Sequence, residues 1–325
     1  MKTWISAYLF YAGNWEGFLK DSIKPFVDFA MQQKLIDQYF FIRYVKNGPH
    51  VRLRLKGDTE LLNSKVKPAL EHCIKAYFKK NPSKREDPEW VKQLPESDRW
   101  YENNSILYFE YKPETILLGG PFAMKIAEKQ FHASSQVVLK LFSQTNIWSY
   151  QRALGAAIQV HLGFSYAMGM SFEEMKHFYS YVFANWLPKA YGFNSKDTTE
   201  ANQIKQNLLL KRFEELFLQQ QDGMLSIFQT FQQISKAKAE FEEEWMNTWI
   251  RSNKIIQKEL IKLNQNHQIQ LNFQKGKNIL IPEERQRYWS IFDNYIHLTN
   301  NRLGIVLQDE AYLSFMIVKS INNLI

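Results

Sequence analysis

Residues Tyr39–Gly57, YFFIRYVKNGPHVRLRLKG, decide the fold. Tyr39–Val45 and His50–Gly57 are runs of β-branched and aromatic residues. Lys46-Asn47-Gly48-Pro49 between them contains the Asn-Gly pair that accepts the left-handed backbone of a tight turn. The spacing predicts a β-hairpin. In its second strand a period of two puts Val51, Leu53 and Leu55 on one face and His50, Arg52, Arg54 and Lys56 on the other.

Working outward, Thr3–Tyr11 (TWISAYLFY) reads as a strand. From Asn14 to about Lys34, the residues Trp15, Phe18, Leu19, Ile23, Phe26, Val27 and Ala30 recur at helical spacing, with Pro25 placed to kink or split the helix. After the hairpin, Leu61–Lys80 reads as a second helix with Pro68 in the same position of difficulty. Lys79–Pro95 is a polar, proline-containing excursion, and Ser105–Lys112 (SILYFEYK) returns as a strand. The order is β-α-β-β-α-β, the split-βαβ or ferredoxin-like arrangement.

From Pro121 the pattern turns helical. Phe122–Phe142, Tyr150–Met168, Phe172–Trp186, about Glu200–Gln221, Leu225–Asn264 and Pro282–Leu324 are the expected helices, and His267–Phe273 (HQIQLNF) is an expected strand. Pro282 followed by Glu283 and Glu284 suits a helix start. The fold class is therefore α+β. Residues 1–120 form a ferredoxin-like part and residues 121–325 a mainly helical part, expected to pack as one compact unit. No internal repeat is visible.

The composition fits this reading. The 325 residues are 45% hydrophobic and 23% charged, which excludes disordered, collagen-like and disulfide-stapled classes. The aromatic share of 15% allows both a large core and aromatic-lined clefts. The formal charge of +8 suits an anionic partner or substrate. The single cysteine, Cys73, excludes an internal disulfide and a multi-cysteine zinc site, and points to a reducing, cytoplasmic setting. The apolar run Trp4–Ala12 is short for a signal peptide, and no stretch approaches the ~18 uncharged apolar residues of a spanning helix. A soluble protein is expected.

Three segments carry candidate chemistry. The row His50, Arg52, Arg54, Lys56 suits carboxylates or phosphates, since arginine grips a carboxylate with two hydrogen bonds. The same alternation also describes a solvated sheet face whose arginines pair with neighbouring acids. Tyr111–Gly120 (YKPETILLGG) places Glu114 just past a strand end and Gly119-Gly120 before a helix, as an anion-accepting turn or a plain connector. Glu128, early in that helix, is either a buried or a surface acid. In Ile296–Leu303 (IHLTNNRL), His297 and Asn301 stand at i and i+4, so the amide is placed to orient an imidazole acid/base; a packed core histidine has the same pattern. The histidines His50, His72, His132, His161, His177, His267 and His297 show no paired metal-ligand spacing, and no metal or cofactor is expected.

Together these segments resemble the small, C-terminal domain of class I lantibiotic dehydratases. FFIRYVKNGPHVRLRLKG is similar to that family's F-x-R-Y…P-H-x-R-x-R, YKPETILLGG to its Y-x-P-E-x-x-R-Y-G-G, and HLTNNRL to its H-M-x-x-N-R-L, in the family's order and over about residues 1–325. The resemblance implies a glutamate-elimination module: a lyase that removes the α-proton and expels glutamate from glutamylated Ser or Thr of a precursor peptide, working as the free-standing subunit of a split dehydratase. It nominates Arg52, Arg54, Glu114 and His297 as catalytic and Arg43, His50, Asn301 and Arg302 as substrate-binding. The implied partners are the glutamylated precursor peptide and a separate glutamyl-tRNA-dependent glutamylation subunit, without direct nucleic acid or membrane contact; a homodimer is compatible. Related free-standing chains include thiopeptide pyridine synthases, which join two dehydroalanines in a formal [4+2] cyclisation with leader release. A non-catalytic peptide-binding subunit is the third possibility. Leu117 stands where the family motif has an arginine, so either another basic residue such as Arg43 or Lys56 substitutes for it or the chemistry differs from standard glutamate elimination.

Overall fold

The computed structural model describes residues 1–192, 200–271 and 281–324. It divides into two compact units: residues 1–114 with 124–148, and residues 115–123 with 149–325.

The first unit is built on four antiparallel strands, β1 (Lys2–Phe10), β2 (Gln38–Tyr44), β3 (His50–Asp58) and β4 (Ser105–Tyr108), in the order β2-β3-β1-β4. This is the expected ferredoxin-like topology. The hairpin turns where expected, with Asn47 and Gly48 both at positive φ (63° and 102°). β4 is shorter than Ser105–Lys112, because only Ser105–Tyr108 pair with β1.

The two crossovers are helices that meet their prolines in the same way. The first runs α1 (Trp15–Phe18), a π turn Leu19–Ile23, then α2 (Lys24–Gln32). The second runs α3 (Thr59–Leu61), a π turn Leu62–Val66, then α4 (Lys67–Lys80). Pro25 and Pro68 fall in the first turn of the segment after each π turn. A proline there needs no intrahelical N–H bond, so the chain continues instead of breaking. Asn14 and Asp58 cap the two helices through their side-chain oxygens. Ala7, Leu9, Val51, Leu53 and Leu55 on the sheet join Phe18, Leu19, Ile23, Leu70 and Ile74 in a fully buried core. The excursion after α4 contains a short helix, α5 (Glu89–Lys92).

α6 (Pro121–Ser143) contributes Met124 onward to this unit and closes the outer edge of β2. Ser135 Oγ accepts from the Phe41 amide at 3.2 Å. His132 Nδ1 lies 3.2 Å from the amide nitrogen and 2.9 Å from the carbonyl oxygen of Tyr39, serving one of them according to its tautomer. An edge strand normally leaves such groups open to another chain.

The second unit is helical: α7 (Tyr150–Ala167), α8 (Phe172–Tyr191), α9 (Glu200–Ala237), α10 (Glu244–Gln265), α11 (Glu283–Gln286), α12 (Trp289–Leu303) and α13 (Leu307–Asn322). Two expectations are corrected here. The expected break between Gln221 and Leu225 is absent: α9 runs through Gly223, and the chain breaks after Ala237 instead, where Lys238 takes a left-handed φ of 51°. The strand expected at His267–Phe273 does not form over His267–Leu271. Among the described residues its alternation finds no partner strand, and its backbone bond to the loop is Gln270 N–H to the Gly119 carbonyl, 2.9 Å. Asn272 and Phe273 lie outside the described residues. Among the described residues no helix is long and apolar enough to cross a membrane.

Candidate functional site

Cross-strand register builds the polar sheet face of the first unit. Phe10 stands opposite His50, Tyr8 opposite Arg52, Ser6 opposite Arg54 and Trp4 opposite Lys56. On the other side of β3, Tyr44, Ile42, Phe40 and Gln38 meet the same four residues. Directly opposed residues of an antiparallel pair share a face, so each basic residue lies between two uncharged neighbours, at least one of them aromatic. The face is not a solvated one: His50 is 1% and Arg54 7% exposed.

The four basic residues have different occupations. His50 donates from Nδ1 to the Gly48 carbonyl at 2.7 Å, which leaves Nε2 to accept from Arg52 Nε at 3.0 Å. Its ring stacks on Tyr8 with centroids 5.1 Å apart. Burial, with Arg52 and Arg54 adding to it against the Gly48 bond, lowers the His50 pKa to about 4, so the ring is the neutral acceptor that Arg52 requires. Arg52 is further clamped, its guanidinium 3.5 Å from the Tyr44 ring centroid and 4.6 Å from that of Tyr8. Lys56 pairs with Glu128 at 3.2 Å, which settles Glu128 as a buried acid.

Arg54 is held differently. Its guanidinium lies 4.8 Å from the Tyr111 ring centroid and 5.3 Å from that of Phe40, and its Nε is buried without a hydrogen-bond partner among the described residues. Ser6 Oγ, on the residue directly opposite, is likewise buried and unpartnered. Burial lowers the Arg54 pKa; Tyr8, Tyr111 and, least, the charge of Glu114 partly oppose this, and Arg52 adds to it. A buried N–H without an acceptor costs about 1–3 kcal/mol, which an anionic ligand accepting from it would offset. Glu114 itself is exposed. Ser6 was not singled out in the sequence, although the alternation of TWISAYLFY, once the register is known, aims it at Arg54.

Arg43 is not on this face. It stands opposite Val51, on the side of the buried core, where it pairs with Glu16 and lies over the rings of Trp15 and Phe142. It cannot stand in for the arginine missing at Leu117 by joining Arg52 and Arg54; Lys56 does share their face. Leu117 is more than half exposed, in a 3-10 turn that ends on Gly119 and Gly120 at φ of +88° and +94°. Only glycine takes up such angles without strain.

In the second unit, His297 lies on α12 with its side chain 30% exposed. Its Nδ1 meets both oxygens of Glu310, at 2.9 and 3.1 Å. Glu310, on α13, is 3% exposed; burial raises its pKa, and the bonds from His297 and Asn300 pull it back. The Asn300 amide donates to Glu310 at 3.3 Å, and its oxygen accepts from His161 Nε2 at 2.8 Å. Burial lowers the His161 pKa to about 4, fixing it as the neutral donor at the end of this chain. The orienting amide was expected at Asn301; Glu310 engages Nδ1, with Asn300 behind it. Glu310 lies beyond the Gly304 turn, so no helical spacing from His297 could indicate it. Asn301 is half-buried, and Arg302 is wholly buried with Nη1 donating to the Leu298 carbonyl at 2.8 Å. With Nδ1 engaged by a carboxylate, the imidazole keeps Nε2 for proton exchange, the arrangement an acid/base histidine needs. Among the described residues no group of His, Cys, Asp or Glu is arranged to hold a metal ion.

Comparisons with known proteins concern the chain as a whole. The chain's structure is similar to that of the pyridine synthase TbtD from thiomuracin biosynthesis (TM-score 0.73, 15% identity, 99% of this chain and 98% of that one). It is also similar to TsrL (0.68, 17%, 99% and 95%). Against the tRNA-dependent lantibiotic dehydratase MibB from Microbispora sp. 107891 the TM-score is 0.54 at 15% identity, over 99% of this chain and 28% of that one. At these identities the likeness establishes a shared fold. No curated protein matches in sequence. The model of the lantibiotic biosynthesis dehydratase C-terminal domain matches residues 4–321, which takes in the hairpin, the Tyr111–Gly120 segment and His297, and the chain therefore belongs to that family.

Proposed function

We propose that the protein eliminates glutamate from glutamylated Ser or Thr residues of a precursor peptide. In that reaction a proton leaves Cα, the electron pair forms the Cα–Cβ double bond, and the Cβ–O bond breaks to expel glutamate as a carboxylate. The observation that carries the reading is Arg54: a buried guanidinium with an unpartnered Nε beside an unpartnered Ser6 hydroxyl is a receptor for an oxyanion. His297, backed by Glu310, serves the proton. Arg52, tied to His50 and two tyrosine rings, braces the face and adds positive potential.

The test is mass spectrometry of a precursor peptide co-expressed with its glutamylating enzyme. Glutamyl adducts are expected to become water-loss products only when this protein is present. Arg54→Ala and His297→Ala are each expected to slow that conversion by about 10²-fold and to let adducts accumulate. Unchanged dehydration by both variants would end the reading.

A second reading, a pyridine synthase acting on an already dehydrated peptide, is favoured by Leu117, which removes the arginine of the family motif and leaves an exposed apolar side chain. It requires conversion of a dehydroalanine-bearing peptide without any glutamylation step.

A further inference from the structure

The His297 ring is restrained on a second side that the proton chemistry does not by itself require. Trp186, on α8, lies parallel to it, with centroids 4.4 Å apart and an interplanar angle of 18°. The indole Nε1 donates to Asp293 Oδ1 at 2.6 Å, and the other oxygen of Asp293 accepts from Asn185 Nδ2 at 3.2 Å. Asp293 is 7% exposed, and its position on α12 is one turn before His297, at i and i+4. Residues at that spacing project from the same helix face. The helix therefore presents a carboxylate and an imidazole side by side, and one indole from α8 spans both: its edge bonds the carboxylate and its face covers the imidazole.

The two restraints on His297 are complementary. A hydrogen bond from Nδ1 to Glu310 fixes one edge of the ring but leaves some rotation about Cβ–Cγ, within the angular tolerance of the bond. A parallel aromatic face removes that rotation and leaves sliding, which the Glu310 bond removes in turn. An unanchored indole would turn with the imidazole; Asp293 prevents it. The charged groups facing this assembly are Glu310 from α13, Asp293 from α12 itself and Lys189 from α8, whose Nζ lies 4.4 Å from the indole centroid.

We propose that Trp186, anchored by Asp293, is the positioning residue of His297, holding the imidazole in the single orientation and tautomer from which Nε2 exchanges protons. This rests on the reading of His297 as the acid/base group. Two substitutions separate the parts: Trp186→Leu removes both the stacked face and the anchor, whereas Trp186→Phe keeps an aromatic face and loses only the N–H to Asp293.

The experiment pairs nitrogen NMR of the histidine rings in the full-length protein with the elimination assay. In the wild-type protein His297 is expected to show one tautomer, protonated on Nδ1. Trp186→Leu is expected to show averaging of the two tautomers and a fall in kcat of at least ~10-fold with KM little changed, and Trp186→Phe, which keeps the face but loses the anchor, to fall between Trp186→Leu and the wild type in both. A single unchanged tautomer and unchanged kcat in Trp186→Leu, in protein that melts as the wild type does, would overturn the proposal. If His297→Ala eliminates normally while Trp186→Leu still scrambles the tautomer, the positioning stands and the assigned reaction falls.

Discussion

Arg52 and Arg54 are two residues apart on one strand and share a face, yet their surroundings give them different work. Arg52 is spoken for by the neutral His50 ring, and Arg54 is buried with an open Nε. His50→Phe would keep the aromatic stack and remove the Nε2 acceptor. The expected result is a loosened Arg52 and a loss of activity smaller than that of Arg54→Ala, read in the same peptide assay. Leu117 offers the converse test. Because it is 55% exposed, Leu117→Arg should change stability by no more than about 0.5 kcal/mol. If elimination is the reaction, restoring the motif arginine is expected to speed release of glutamate; a slower or unaltered rate would favour cyclisation. The shared face of His50, Arg52, Arg54 and Lys56 was legible from alternation alone. Their division of labour was not, because it depends on what β1 and β2 place opposite each residue.

At the level of elements, the β-α-β-β-α-β order could be read because turn chemistry and periodicity agreed at the hairpin and along each strand, although β4 ends sooner than its composition suggests. Pro25 and Pro68 looked like breaks. A π turn before each one lets the helix resume with proline where its missing N–H is harmless, a backbone adjustment that residue spacing does not encode. The break expected between Gln221 and Leu225 does not occur: a glycine inside a long helix costs only about 1 kcal/mol, so α9 passes through Gly223. The contact between α6 and β2 was also invisible, since nothing in FHASS announces an edge cover. Ser135→Ala tests it. Leaving the buried Phe41 amide without its acceptor should cost about 1–3 kcal/mol, seen as a lower denaturant midpoint with an unchanged slope.

Over the whole molecule the formal charge is +8, and acid can only add to it. Each unit also buries a histidine in its neutral form, His50 in the first and His161 in the second, both with pKa lowered to about 4. Unfolded, these rings bind protons near pH 6.5. Between about 6.5 and 4 the unfolded chain therefore holds more protons than the folded one, and stability falls as pH falls. Each ring contributes on the order of 3 kcal/mol above that window, lost through it. Thermal melts at pH 7 and pH 5 are expected to show a marked loss in acid, and His161→Gln should shrink that difference. A melting temperature independent of pH over this range would contradict the burial of both rings. The chain was read as two parts divided near residue 120, whereas the compact units share α6's stretch of chain, because the face of α6 from Met124 onward finds its partners on β2.

The edge cover has a further consequence in time. A backbone amide exchanges its hydrogen with solvent only after its bond opens, and strands at the margin of a sheet usually fray one residue at a time. At the outer margin of β2 the amide of Phe41 is bonded to a side chain of α6, and Tyr39 meets α6 through His132. Exchange at Phe41 then reports not the fraying of β2 but the lifting of a whole helix, so Phe41 should exchange as slowly as the interior of α6 and at a rate that follows it. A strand at the border thereby acquires the kinetic lifetime of one at the centre.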